Sequence, residues 1–94
     1  MFDIKRAESG TIKLAGRFDA SQESRAGDVL DQVSESATVD FQDLKYISSA
    51  GLAVLLRTQK KLMASGHGLT IVNINPQIRE LLEIAGFDRI FDLG

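Results

Sequence analysis

Two adjacent hydroxyls, Ser48 and Ser49, stand immediately ahead of Ala50-Gly51-Leu52 and the strongest helical apolar pattern in the chain. A serine in that position has two chemical uses. Unmodified, its oxygen caps the free N–H groups of the helix's first turn. Phosphorylated, it adds about −1.5 to −2 charges beside the positive end of the helix dipole, where the same N–H groups become anion ligands. The position reads either as a switch between a small neutral state and a bulky anionic one, or as a cap alone. His67, the one histidine, lies between Gly66 and Gly68. About 18 residues of helix at ~1.5 Å each would hold it roughly 25 Å from Ser48 and Ser49. That excludes a Ser–His pair there and reads His67 as an exposed turn residue. Asp19, Asp40 and Asp43 fall near the ends of expected strands and could converge on a hard cation. Aspartates at such ends are also ordinary turn formers, so the expectation is no metal and no cofactor. With no activated nucleophile and no phosphate-cradling glycine loop, the chain reads as a non-enzyme.

The elements that would position these groups follow from apolar periodicity. Phe2 and Ile4, then Ile12 and Leu14, alternate with polar neighbours and predict two strands, joined as a hairpin through Ala7-Glu8-Ser9-Gly10. After Gly16-Arg17-Phe18-Asp19, the spacing of Ala26, Val29, Leu30 and Val33 predicts a helix. Asp19 or Ser21 can cap it, Asp19 with Gln22 having the capping-box spacing, and Gly27 weakens it. Ala37–Phe41 is a short β-prone run that Tyr46-Ile47 could resume. Beyond Ser48-Ser49, Leu52, Leu55, Leu56, Leu62 and Met63 share one helix face, with Arg57, Lys60 and Lys61 elsewhere on a solvated one. Leu69–Val72 predicts a buried strand. Asn75-Pro76 opens a last helix, with Ile78, Leu81, Leu82 and Ala85 inward and Gly86 closing it. Ile90-Phe91 is a short strand or a packed tail. The order β-β-α-β-α-β-α implies an α/β fold with a mixed sheet of four to five strands and helices mainly on one face.

Composition narrows the function classes. The 94 residues, 44% hydrophobic and 26% charged, suit one globular domain spanning 1–94. Cysteine is absent, which removes disulfides and thiolate chemistry. A net charge of −2 argues against binding nucleic acid. No apolar run is long enough for a secretion signal or a membrane insertion, so a cytoplasmic location is expected.

The segment Val39-Asp40-Phe41, Leu44, Tyr46-Ile47-Ser48-Ser49-Ala50-Gly51-Leu52-Ala53-Val54-Leu55-Leu56 resembles the signature of the STAS domain family, specifically its anti-sigma factor antagonists. Gly16-Arg17-Phe18-Asp19 is similar to that family's turn after the second strand. Leu69–Asn73, Asn75-Pro76, Leu81-Leu82 and Ala85-Gly86 are similar to its last strand and helix. The resemblance implies a partner-switching regulator of transcription. Such a protein binds an anti-sigma factor or related serine kinase when unphosphorylated, is released by phosphorylation, and is restored by a PP2C-type phosphatase. The matching acceptor is Ser49. Family members carry aspartate where this chain has Ser48 and a hydroxyl where it has Ala50, and Ser48 is the alternative acceptor. Asp19, Ser48, Ala50, Gly51 and Leu52 would line the partner-binding surface, Asp19 either shaping that surface or only capping. The same family also implies an alternative, a constitutive subunit of a phospholipid-transport or signalling-scaffold complex without the switch.

Overall fold

Strands form where the alternation predicts them in the computed structural model, which describes residues 1–93. Phe2–Arg6 (β1) and Ile12–Phe18 (β2) bury Phe2, Ile4, Ile12, Leu14 and Phe18. They pair antiparallel from Phe2–Gly16 to Arg6–Ile12. A 3-10 turn, Ala20–Gln22, leads into α1, Glu23–Leu30. Then follow β3 (Ala37–Ile47), α2 (Ser49–Met63), β4 (Leu69–Val72), α3 (Pro76–Ile84), a second 3-10 turn (Phe87–Arg89) and β5 (Asp92–Leu93). The sheet runs in the order β1-β2-β3-β4-β5, parallel from β2 onward. Each crossover advances one strand in the same direction. Right-handed crossovers of that kind put all three helices on one face. Phe18, Phe41, Leu30, Leu55, Ile71 and Leu82 meet there in one core, each fully buried. Burial of each such side chain contributes roughly 1.5–3 kcal/mol. The other face carries exposed Lys13, Arg17, Asp43 and Tyr46.

Several local expectations are corrected, each for a physical reason. β3 is one 11-residue strand rather than two pieces. Its register against β2 shifts between Lys13 and Ala15 and again between Gly16 and Arg17. These irregularities let Val39, Phe41, Leu44 and Ile47 all reach the core at unequal spacing, which hides the period of two. Gly16 makes the second shift possible: its φ is +82°, and a Cβ there would overlap the Met1 carbonyl oxygen. α1 ends at Leu30, and Val33, though at helical spacing, is buried in the segment beyond it.

The inner face of α2 is rotated from the expected one. Val54, Thr58 and Gln59 are buried, Leu56 is half-buried and Met63 is 57% exposed. Burying the two polar residues is tolerable because both are hydrogen-bonded. Thr58 Oγ1 donates to the Val54 carbonyl at 3.1 Å. On α3 only Ile78 and Leu82 point inward, while Leu81 and Ala85 are exposed. That helix covers the sheet beside the two-residue β5, where a narrow apolar row suffices. The last strand starts at Asp92, and buried Phe91 packs the tail against the core before it.

Candidate functional site

At the C-terminal ends of β2 and β3 the chain makes two turns side by side, and these carry the candidate residues. Ser48 leaves β3 in extended backbone and is the N-cap of α2. Its Oγ accepts from the Gly51 N–H at 3.3 Å, and its own N–H donates to the Phe18 carbonyl at 2.9 Å. The cap therefore ties the first turn of α2 to the end of β2. Ser49 occupies the first helical position and is exposed. Its Oγ bonds no other described residue. Capping and solvent access, both available to either serine in the sequence, are divided between them.

Gly51 and Leu52 do not offer side chains at the surface. A Cβ on Gly51 would lie 2.8 Å from the Phe18 carbonyl oxygen and 2.9 Å from Ile47 Cγ1, and Leu52 is 6% exposed. Both seat α2 against the sheet beneath Ser49. Ala50 is half-buried beside it.

Asp19 caps the neighbouring 3-10 turn rather than α1 itself. Its Oδ1 accepts from the Ser21 N–H at 3.0 Å and the Ser21 hydroxyl at 2.6 Å. Gln22 Oε1 in return accepts from the Asp19 N–H at 2.9 Å, completing the capping box. The Ser21 hydroxyl and amide hold the Asp19 carboxyl below its ordinary pKa, with Arg17 adding to the effect. This turn packs against α2, so a fixed negative charge stands on the turn that borders the helix start. The Arg17 guanidinium lies 4.3 Å from the centre of the Tyr46 ring, on the open sheet face at the same end. Neither residue stood out in the sequence; only the parallel register Arg17–Tyr46 makes them neighbours.

The remaining candidates sit apart from this constellation. Asp40 is buried, and its Oδ1 accepts from the Gln42 N–H at 2.8 Å and Asn73 Nδ2 at 3.0 Å. Burial pushes its carboxyl up, but the Asn73 amide, the Gln42 N–H and Lys13 together outweigh that and leave it below the ordinary value. Asp43 is exposed, and among the described residues no three acidic or histidine side chains gather as a cation site. His67 is half-buried rather than exposed, its Nδ1 3.4 Å from Ser36 Oγ at the far end of α2. Arg57 and Lys61 are held within the chain: Arg57 lies 3.8 Å from the Asp31 carboxylate, and Lys61 Nζ donates to the Asp31 carbonyl at 2.7 Å. Lys60 is exposed.

Among the described residues no helix is long and apolar enough to cross a membrane. Residues 2–93 match the family model described as "Mlab, STAS domain". The chain is 25% identical over 96 residues to the anti-sigma-B factor antagonist of Bacillus subtilis, covering 98% of this chain and 88% of that protein. It is 37% identical over 65 residues to the putative anti-sigma factor antagonist BtrV of Bordetella bronchiseptica, covering 69% and 56% respectively. A crystal structure of a putative anti-sigma factor antagonist from Thermotoga maritima superposes with a TM-score of 0.78 at 19% identity, covering 98% of this chain and 84% of that one. Five strands in this order, three helices on one face and a match over nearly every residue lead to one conclusion: the chain belongs to the STAS domain family.

Proposed function

We propose that this domain is a non-enzymatic partner-switching regulator. It binds an anti-sigma factor or related serine kinase while Ser49 is unmodified, and phosphorylation of Ser49 releases it. A PP2C-type phosphatase would return it to the binding state. The observation that carries this reading is the division of labour between the two serines. Ser48 is committed to the cap, whereas the Ser49 hydroxyl is exposed and outside every described hydrogen bond. A phosphate can be added there without dismantling the start of α2. The relatives named as antagonists support the same class of function.

The docking face would comprise Asp19, Ser48, Ser49 and Ala50, seated by Gly51 and Leu52. A dianion introduced next to the Asp19 turn adds like charge to a surface that a partner must desolvate. Weakening by about 3 kcal/mol would lower affinity about 100-fold, enough to exchange partners. The test is to incubate the protein with its cognate kinase and ATP and map the modified residue. Transfer to Ser49, with loss of binding in Ser49→Asp, is expected. Transfer to Ser48 would move the switch by one residue, and transfer to neither eliminates it.

The match to a model described as Mlab rather than as an antagonist favours one second reading. In it the domain is a constitutive subunit of a phospholipid-transport or signalling-scaffold complex, and the same face is a permanent interface. Stable co-purification with an ATPase subunit, unaffected by Ser49→Asp, would decide for it.

A further inference from the structure

The end of the sheet opposite Ser49 holds a polar cleft of about 220 Å³ between the β1–β2 turn and the segment entering β3. Arg6, Ser9, Thr11, Glu35, Ser36 and Thr38 line it. At roughly 30 Å³ per water, it has room for about seven waters, more than the bulk of a small amino acid, which would share the cleft with solvent.

The wall combines one cation, one anion and four hydroxyls, and the two charges do not meet. Arg6 and Glu35 form no ion pair with each other or with any other described residue. Arg6 occupies the last position of the row that Phe2 and Ile4 begin, the row that faces the core. It carries a guanidinium where the sheet outruns the apolar interior. Glu35 lies across the cleft on the segment that follows Val33. One hydroxyl is already held in place: Ser36 Oγ accepts from the Gly68 N–H at 3.1 Å and contacts His67 Nδ1 at 3.4 Å. At the turn, Ser9 Oγ donates to Thr11 Oγ1 at 3.3 Å.

We propose that this cleft binds a small zwitterion, of the chemical class of a free α-amino acid. Its carboxylate pairs with the Arg6 guanidinium, whose planar fork suits bidentate carboxylate recognition. Its ammonium pairs with Glu35. A bare anion would satisfy Arg6 but be repelled by Glu35, and a bare cation would meet the converse, so the pair of charges selects for a ligand carrying both. The hydroxyls of Ser9, Thr11 and Thr38 supply donors and acceptors for its remaining polar atoms. The cleft shares no residue with the Ser49 face, so this site stands or falls independently of the proposed switch.

The test is an amide-resolved NMR titration of the ¹⁵N-labelled protein with glycine and with L-serine, against acetate, methylammonium and inorganic phosphate as single-charge probes. Saturable shifts confined to the amides of residues 9–11 and 35–38 are expected for the two amino acids. Binding of acetate and methylammonium should be weaker by at least about tenfold, the equivalent of one lost charged contact. Arg6→Gln and Glu35→Gln are exposed substitutions, so their spectra should stay dispersed while amino-acid binding falls by a similar factor. Absence of a saturable shift with either amino acid overturns the proposal. So do acetate or phosphate moving the same amides as strongly, and undiminished binding by Glu35→Gln.

Discussion

The two ends of α2 are held by different parts of the chain. At its start the main chain does the holding: the Ser48 N–H bonds the Phe18 carbonyl, and Gly51 brings the helix backbone against β2 because it has no side chain. Toward its end the hold comes from side chains. The Gln59 amide accepts from the Leu69 N–H at 2.7 Å and donates to the Ile90 carbonyl at 2.6 Å, spanning from β4 to the C-terminal segment. Lys61 and Arg57 meet the end of α1. The contrast explains how a modifiable serine can sit on a well-fixed helix. The start of α2 is set by backbone geometry in which the Ser49 hydroxyl takes no part, so the hydroxyl is free for chemistry.

Substitutions at the two ends test that contrast directly. The largest effect is expected at Gly51→Ala. A methyl 2.8 Å from a backbone oxygen and 2.9 Å from Ile47 cannot be absorbed by a flexible side chain, so a loss of about 3 kcal/mol is expected in urea unfolding. A near-neutral result would mean that the helix start is not seated as described. Gln59→Leu should cost about 2–3 kcal/mol, because a buried N–H and a carbonyl lose their partner together. Amide exchange should then speed up at Leu69 and in the C-terminal segment while the first turn of α2 keeps its protection. Uniform loss of protection would erase the distinction between the two ends. Ser48→Ala removes the cap and should cost about 1 kcal/mol, whereas Ser49→Ala should stay within about 0.5 kcal/mol. The reverse order would reassign the cap to Ser49 and make Ser48 the free hydroxyl.

The smallest effect expected is in pH dependence. Asp19 and Asp40 both lie below the ordinary value of 3.8 in the fold. A carboxyl whose folded pKa is depressed stabilises fully above its unfolded value, and that stability is lost as pH falls through the folded one. Stability should therefore decline as pH drops below about 4, and Asp40→Asn should flatten the decline. An unchanged slope in the variant would show that Asp40 does not contribute to it.

Local chemistry made much of the fold legible. Alternation marked β1 and β2, Asn75-Pro76 marked the start of α3, and the Asp19–Gln22 spacing marked a capping box that is present. The box nevertheless caps a 3-10 turn that precedes α1, because spacing reveals the pairing and not the kind of helix it starts. β3 read as two fragments since a register irregularity replaces steps of two with steps of three. On α2 the apolar pattern places Met63 inward, whereas the fold exposes it and buries Gln59, for a different reason. Hydrophobicity alone cannot anticipate that a glutamine will find one donor and one acceptor on two distant segments, and so be buried in preference to a methionine. Within the candidate site, Ser48, Ser49 and Asp19 were visible from their types and spacing. The Arg17–Tyr46 pair and the close seating of Gly51 and Leu52 were not, because each depends on how β2 lies against β3 and α2.

By itself the amino-acid order determined the succession of strands and helices, the apolar rows that make one core, and the presence of two hydroxyls at a helix start. Those features are governed by interactions between residues a few positions apart. How the start of α2 is seated on the end of β2, and which charges line a cleft without pairing, only the tertiary structure decided. Those outcomes depend on atoms distant in sequence, brought together only when the sheet closes in register and α2 settles on it.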